Sequence, residues 1–541
     1  MAKKLSNIFL RLFLTFSLVT FVFLFYSFDS NAAGTGFVSI TSATINGDNV
    51  VVTATASDLP DSDDGIFYLY AEKTYQDTPA GNVVATAPIG AEAVFVFPLG
   101  YGTTACHLYE KFQIAVLQGG AVVPICAARY ISNPEALAHV SLPKKNNGKK
   151  GLILDGAKIG NGNTEVLTLG VQQAAYNINL EDVIGGNKVI AYPYNGKTYY
   201  FDSSYMSQYD HCVRITSSQG ISLTMVLLNP YAAGEEYMIS PYARSGIGRT
   251  RSSYYLMNTS EDAGLEALEA VVSFLANRYD GQHGVGQVDN WVIANEVNAK
   301  DAWNYADPMD IATYARLYAD SLRVCYTAIR SQNANATVCL SLDNEWMSVA
   351  GGANYTARTT LEHVNAYIQA QGNFDWALAF HPYNYPMVWT SFWTPKNAKT
   401  AAMISHTMDS PYISMENIEQ LTDYMSLAFM RGTRGQVRDI LLTEVGYSSN
   451  QGEAAQAAAI VYAYYRTMTN QYLDMIIFNR QTDFPAEVKN GLSVGLSYQN
   501  GARKQAFDFF ANMNGANAQN YKNFAANYAG IADWNAAMNA R

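Results

Sequence analysis

Residues 288–296 read VDNWVIANE, in which Trp291, Val292, Ile293 and Ala294 run without a polar break into Asn295 and Glu296. An apolar run that ends in polar residues is the pattern of a strand buried on both faces, as in parallel sheets covered by helices. The pattern recurs at 151–155, 173–180, 221–229, 337–343, 375–381, 439–444 and 474–479, which with 288–295 makes eight strands. Helical stretches lie between them. In 263–278, Val271, Phe274 and Leu275 share one face, and in 311–330 Leu317, Leu322 and Val324 do so. Eight strands joined by helical crossovers predict an α/β fold, a closed (β/α)8 TIM barrel over residues 151–541. The segment 190–209 reads as an inserted loop, and the residues after Lys504 as helices that close the barrel.

Upstream, the pattern changes to short alternating strands at 37–45, 50–56, 65–72, 94–98, 112–118 and 121–129, with no helical periodicity between them. That series predicts a small all-β domain, a β-sandwich over residues 36–140, serving as an accessory or carbohydrate-binding module. The basic, Asn- and Gly-rich LPKKNNGKK that follows places a linker at 141–150. At the amino terminus, Lys3, Lys4 and Arg11 precede an uncharged apolar run over 12–28, and small residues follow it. This is the form of a signal peptide over residues 1–33, cleaved after Ala32 or Ala33, and it predicts a secreted, extracellular protein. A retained membrane anchor, giving cell-surface association, is the other reading of the same run.

A net charge of −11 offers no basic footprint, so nucleic acid is excluded as a partner. Only 15% of residues are charged while Tyr numbers 38, a composition that suits the apolar ring faces and hydroxyls of a glycan or oligosaccharide. The five cysteines lack the paired spacing of metal ligands; Cys106 and Cys126 are candidates for a disulfide in an oxidising compartment.

In a barrel of this kind the chemistry gathers at the carboxyl ends of the strands. Two carboxylates stand there: Glu296 ends the fourth strand, and Glu444 ends the seventh in DILLTEVGY, 439–447. Across the barrel mouth they can face one another, as an acid and a nucleophile flanking a glycosidic bond must. The sixth strand ends in His381-Pro382-Tyr383. Trp303 and Trp346 fall in loops after strands four and five, where aromatic faces stack on sugars. Asp343, Asn344 and Glu345 end strand five and either bind substrate hydroxyls or cap a helix.

On these residues the chain resembles the clan of retaining (β/α)8-barrel glycoside hydrolases, in which an Asn-Glu pair after strand four carries the acid/base and a Glu after strand seven the nucleophile. The resemblance covers roughly residues 151–515. It implies that Glu296 is the acid/base, kept protonated by the charge of Glu444, and that Glu444 is the nucleophile. Asn295 would bind the sugar 2-hydroxyl, and His381 and Tyr383 would line the subsite with Tyr383 holding the nucleophile. No metal or organic cofactor is implied. Three features depart from the clan: AAYNIN at 174–179 supplies no Arg on strand two, Val297 stands where Pro is frequent, and MIIFNRQTD at 475–483 puts Phe478 or Arg480 in place of a Trp on strand eight. A catalytically silent carbohydrate-binding barrel is the alternative these departures leave open.

Overall fold

A computed structural model of the chain describes residues 38–539, apart from 78, 157–158, 160–164 and 350. The signal-peptide segment 1–33 therefore lies outside the described residues. The chain divides into two compact units, one of residues 38–43, 50–97 and 111–129, the other of 44–49, 98–110 and the chain from 130 onward.

The first unit is built from strands β1 (Val38–Asn46), β2 (Asn49–Ala56), β3 (Ile66–Glu72), β4 (Asn82–Pro88), β5 (Glu92–Pro98), β6 (Lys111–Gln118), β7 (Ala121–Pro124) and β8 (Arg129–Tyr130). They form a three-stranded sheet, β1-β2-β5, and a second sheet ordered β4-β3-β6-β7, with β8 on β6. Alternation decides the faces: in β5, Ala93, Phe95 and Phe97 are buried while Val94 and Val96 are exposed. Phe97 meets Phe112 of the other sheet edge-on at 5.3 Å, so the two inner faces share one core. Strand β4 is the element the sequence pattern misses. It is a largely exposed edge, so it carries no buried alternation to read.

In the second unit, β9 (Lys150–Ile153), β10 (Gln173–Asn179), β13 (Ser222–Leu228), β14 (Asn290–Ile293), β15 (Thr337–Leu342), β16 (Ala377–Phe380), β17 (Ile440–Val445) and β18 (Leu473–Phe478) close a barrel in chain order. Every neighbouring pair is parallel. The predicted eight strands are the observed eight. Ala175, Val226, Leu228, Val292, Cys339, Ala377, Ala379, Leu441, Met475 and Ile477 fill the interior. The small residues stand on β10 and β16, and larger ones on β13, β17 and β18.

Helices Ser203–Ser218, Asp262–Arg278, Ile311–Arg330, Ala357–Ala370 and Glu453–Thr469 are among those that connect the strands. Three of them begin with side-chain caps: Asp202 accepts from Tyr205 N, Asp310 from Thr313 N and Thr356 from Thr359 N. Each cap contributes about 1 kcal/mol. The segment read as an inserted loop is instead a hairpin, β11 (Ile190–Tyr194) and β12 (Lys197–Phe201), leading into the helix Ser203–Ser218. Its turn is Asn195-Gly196, with φ of 46° and 74°, the left-handed pair a tight two-residue hairpin requires. Tyr192 and Phe201 of the hairpin pack on Phe274. All five cysteines are free thiols.

Candidate active site

Two strand ends bring the carboxylates to the barrel mouth by different local devices. At the end of β14, Ala294 and Glu296 both adopt positive φ, 60° and 38°. Such conformations cost a non-glycine residue roughly 1–3 kcal/mol and persist only where surrounding contacts dictate them. Here the contacts are numerous. Ala294 N donates to Leu227 O, Glu296 N to Ser341 Oγ at 3.0 Å, and Val297 N to Ser341 O. From the helix Ile311–Arg330, Tyr318 Oη donates to Ile293 O and Tyr314 Oη to Val297 O, each at 2.7 Å. The loop that carries Glu296 is thus clamped on both sides.

On β17 the device is a bulge. Leu441 pairs with Met475 and Leu442 with Ile476, but Val445 pairs with Phe478, so one extra residue is inserted before Val445. Leu441 points into the barrel, and strict alternation would send Glu444 outward. The inserted residue resets the phase, and Thr443 and Glu444 both face the interior.

Between them, β16 continues its inward series Ala377, Ala379 into His381 and Tyr383. His381 Nδ1 donates to Glu296 Oε1 at 2.7 Å, and its Nε2 lies 3.1 Å from Thr443 Oγ1. Tyr383 Oη donates to Glu444 Oε1 at 2.8 Å. Asn344 Nδ2 fixes the Tyr383 backbone by donating to its carbonyl at 2.6 Å. One strand end therefore holds both carboxylates, one through an imidazole and the other through a phenol.

The charges of the site act on one another. Burial pushes the Glu444 carboxyl up, Glu296 adds to this, and His381, the Tyr383 hydrogen bond and Arg480 oppose it, leaving the group above the ordinary Glu value. Burial disfavours the charged form of His381, but its hydrogen bond to Glu296 and the charges of Glu296, Glu444 and Asp343 outweigh that and raise its pKa. Asp343, buried at the end of β15, is pushed up to about 7 by desolvation and by the charge of Glu296. Its Oδ1 accepts from Asn298 Nδ2 at 2.6 Å and from Glu345 N at 2.9 Å. Among the described residues no cluster of His, Cys, Asp or Glu has the arrangement of a metal site.

Of the other residues singled out by the sequence, Asn295 is largely buried beside Glu296. Trp303 ends the short helix Lys300–Trp303 and stacks on Tyr254 at 5.7 Å with 14° between the rings. Tyr254 in turn packs against the interior cluster, which places this aromatic pair at the mouth. Trp346 and Phe478 are corrected. Trp346 is fully enclosed, donates to Met408 O at 2.8 Å and packs edge-on against Tyr424, so it has no face for a sugar. Phe478 points outward from β18, between Tyr447 and Phe510, because its neighbour Ile477 points inward. The next inward residue is Asn479, which sequence reasoning passed over: its Nδ2 donates to Tyr383 Oη at 3.0 Å and approaches Glu444 Oε1 at 3.4 Å. Extending the two-residue period from Met475 and Ile477 would have found it.

A family model described as a family of unknown function, DUF5722, matches residues 142–537. No curated protein matches the chain. Among solved structures, a family 39 glycoside hydrolase from the gut symbiont Bacteroides cellulosilyticus WH2 is similar at 15% identity and a TM-score of 0.43, over 84% of this chain and 78% of that one. A hyperthermophilic β-glucosidase from Pyrococcus furiosus is similar at 14% identity and a TM-score of 0.44, over 69% of this chain and 86% of that one. The endo-1,4-β-mannanase from Rhizomucor miehei is similar at 14% identity and a TM-score of 0.41, over 69% of this chain and 98% of that one. At this level of likeness, chemistry is assigned from the residues of the site alone.

Proposed function

The chain belongs to the DUF5722 family, and from its site we propose that it is a secreted retaining glycoside hydrolase acting on a glycan, with Glu296 as acid/base and Glu444 as nucleophile. The observation that carries this reading is the shared strand end of β16, from which His381 holds Glu296 and Tyr383 holds Glu444. Two carboxyl groups facing one cleft are the whole chemical equipment that retaining hydrolysis needs. In the first step Glu296 protonates the departing oxygen while Glu444 attacks the anomeric carbon, forming a glycosyl-enzyme. In the second, Glu296 removes a proton from water, which attacks the same carbon and releases the sugar. His381 keeps one oxygen of Glu296 engaged, leaving the other to handle the proton. Asn295 binds the 2-hydroxyl, and the Trp303–Tyr254 pair gives an aromatic face to a sugar ring.

Treatment with a 2-fluoro glycoside bearing a good leaving group tests the reading. Mass spectrometry of digested protein should find the sugar on the peptide containing Glu444; a label on any other residue overturns the assignment. Export is tested separately by sequencing the amino terminus of protein recovered outside the cell, which should begin after Ala32 or Ala33. The β-sandwich unit is assigned an accessory role, and its removal should leave turnover of a small soluble glycoside nearly unchanged.

A further inference from the structure

We propose that Asn479 and Arg480, which follow β18, form a positioning pair that orients the carboxylate of Glu444, Arg480 fixing which end of the Asn479 amide faces it. The inference rests on the reading of Glu444 as nucleophile and adds residues that the two-carboxylate scheme does not use.

The amide of Asn479 has two nearly isosteric ends, and only one suits a carboxylate. With Nδ2 forward it donates to Tyr383 Oη at 3.0 Å and lies 3.4 Å from Glu444 Oε1. Turned over, it would set a carbonyl oxygen against an anion. Arg480 decides between the two, because its Nε donates to Asn479 Oδ1 at 2.9 Å and a guanidinium has no acceptor to offer a reversed amide. The guanidinium is itself held, by Glu487 at 3.4 Å and by the ring of Phe484, 5.0 Å below it. The backbone of Asn479 is also fixed: its N donates to Val445 O at 2.8 Å, and Gly446 permits the approach, since a Cβ there would lie 3.0 Å from Asn479 O.

The consequence is a division of labour within one carboxylate. Oε1 of Glu444 faces two donors, Tyr383 and Asn479, so Oε2 is the oxygen that bonds to the anomeric carbon. Charge acts in the same sense. The groups facing Glu444 are His381 and Tyr383 from β16, Glu296 from β14 and Arg480 after β18, with Glu487 behind Arg480 and Asp343 acting on His381. Burial and Glu296 favour the neutral acid. His381, Tyr383 and Arg480 favour the anion that attacks.

The test compares wild type with Arg480→Gln, Arg480→Lys and Asn479→Ser. Two quantities are read: the rate at which a 2-fluoro glycoside labels Glu444, and the pH profile of kcat/KM on an activated aryl glycoside. Arg480→Gln and Asn479→Ser should slow labelling roughly ten-fold, the effect of one charge-assisted hydrogen bond at a reacting group. Arg480→Gln should also move the acidic limb to higher pH. Arg480→Lys keeps the charge but loses the planar fork, so its limb should stay near wild type while labelling remains slow. Labelling rates and limbs unchanged in all three variants would overturn the pair. Failure of wild type itself to label at Glu444 would instead overturn the underlying reading. Arg480 is half-buried, so its variants should fold, and equal thermal melting of variant and wild type verifies this.

Discussion

Tyr383 donates its phenolic hydrogen to Glu444 Oε1 at 2.8 Å from a position wholly within the protein. A hydrogen bond to a carboxylate favours its ionised form, and the ionised form is what the nucleophilic role proposed for Glu444 requires. Tyr383→Phe therefore raises the Glu444 pKa further above its ordinary value. The acidic limb of the kcat/KM profile should move to higher pH, and kcat/KM at neutrality should fall by roughly ten-fold or more. An unmoved limb would mean that the phenol does not act on the nucleophile.

Asp343 gives a prediction about stability. Its carboxyl is pushed up to about 7 in the folded protein from an ordinary value of 3.8. A raised acid binds its proton more tightly folded than unfolded, so this contribution is fully present below the unfolded pKa and is lost as pH rises through about 7. Asp343→Asn cannot ionise, and its side-chain oxygen can still accept from Asn298. The variant should melt close to wild type in acid and above it in mild alkali, the gain amounting to a few kcal/mol at most. Thermal melts across that range check it; a variant less stable than wild type on the alkaline side would contradict the account.

The two tryptophans should separate cleanly. Trp303→Ala removes one face of the pair with Tyr254 and should raise KM by roughly 2- to 13-fold with little change in kcat, the range expected for one stacked ring. Trp346→Ala removes an enclosed side chain and should cost about 3–5 kcal/mol of stability. Steady-state kinetics and melting temperatures, measured on both, read the two effects. A KM effect from Trp346→Ala in protein of wild-type stability would return that residue to the site.

The barrel was legible because its strands are buried on both faces, so each appears as an apolar run with polar residues at its end; 288–295 and 439–444 are the clearest. Glu296 and Glu444 stood out for the same reason. The bulge on β17 was not legible, since its extra residue is defined only against β18, and without it strict alternation turns Glu444 away from the cleft. Trp346 was misread because a tryptophan in a loop carries no sign of whether the loop folds inward. Phe478 was misread for a different reason. Phe478 and Arg480 both lie out of phase with Met475 and Ile477, which assign the inward position to Asn479. The hairpin does have a sequence signal, the Asn195-Gly196 pair of a tight two-residue turn, within the segment read as an inserted loop.

The central claim is that Glu296 and Glu444 are acid/base and nucleophile of one retaining reaction, and the behaviour of Glu296→Ala on an activated aryl glycoside tests it most directly. A good leaving group needs little acid help, so the first step should survive while the second, without a base, becomes slow. Added azide needs no base and fits the space the carboxylate vacates. It should restore turnover and yield a glycosyl azide with the same anomeric configuration as the substrate. Hydrolysis of unactivated glycan by Glu296→Ala at the wild-type rate, or a glycosyl azide of inverted configuration, would contradict the account.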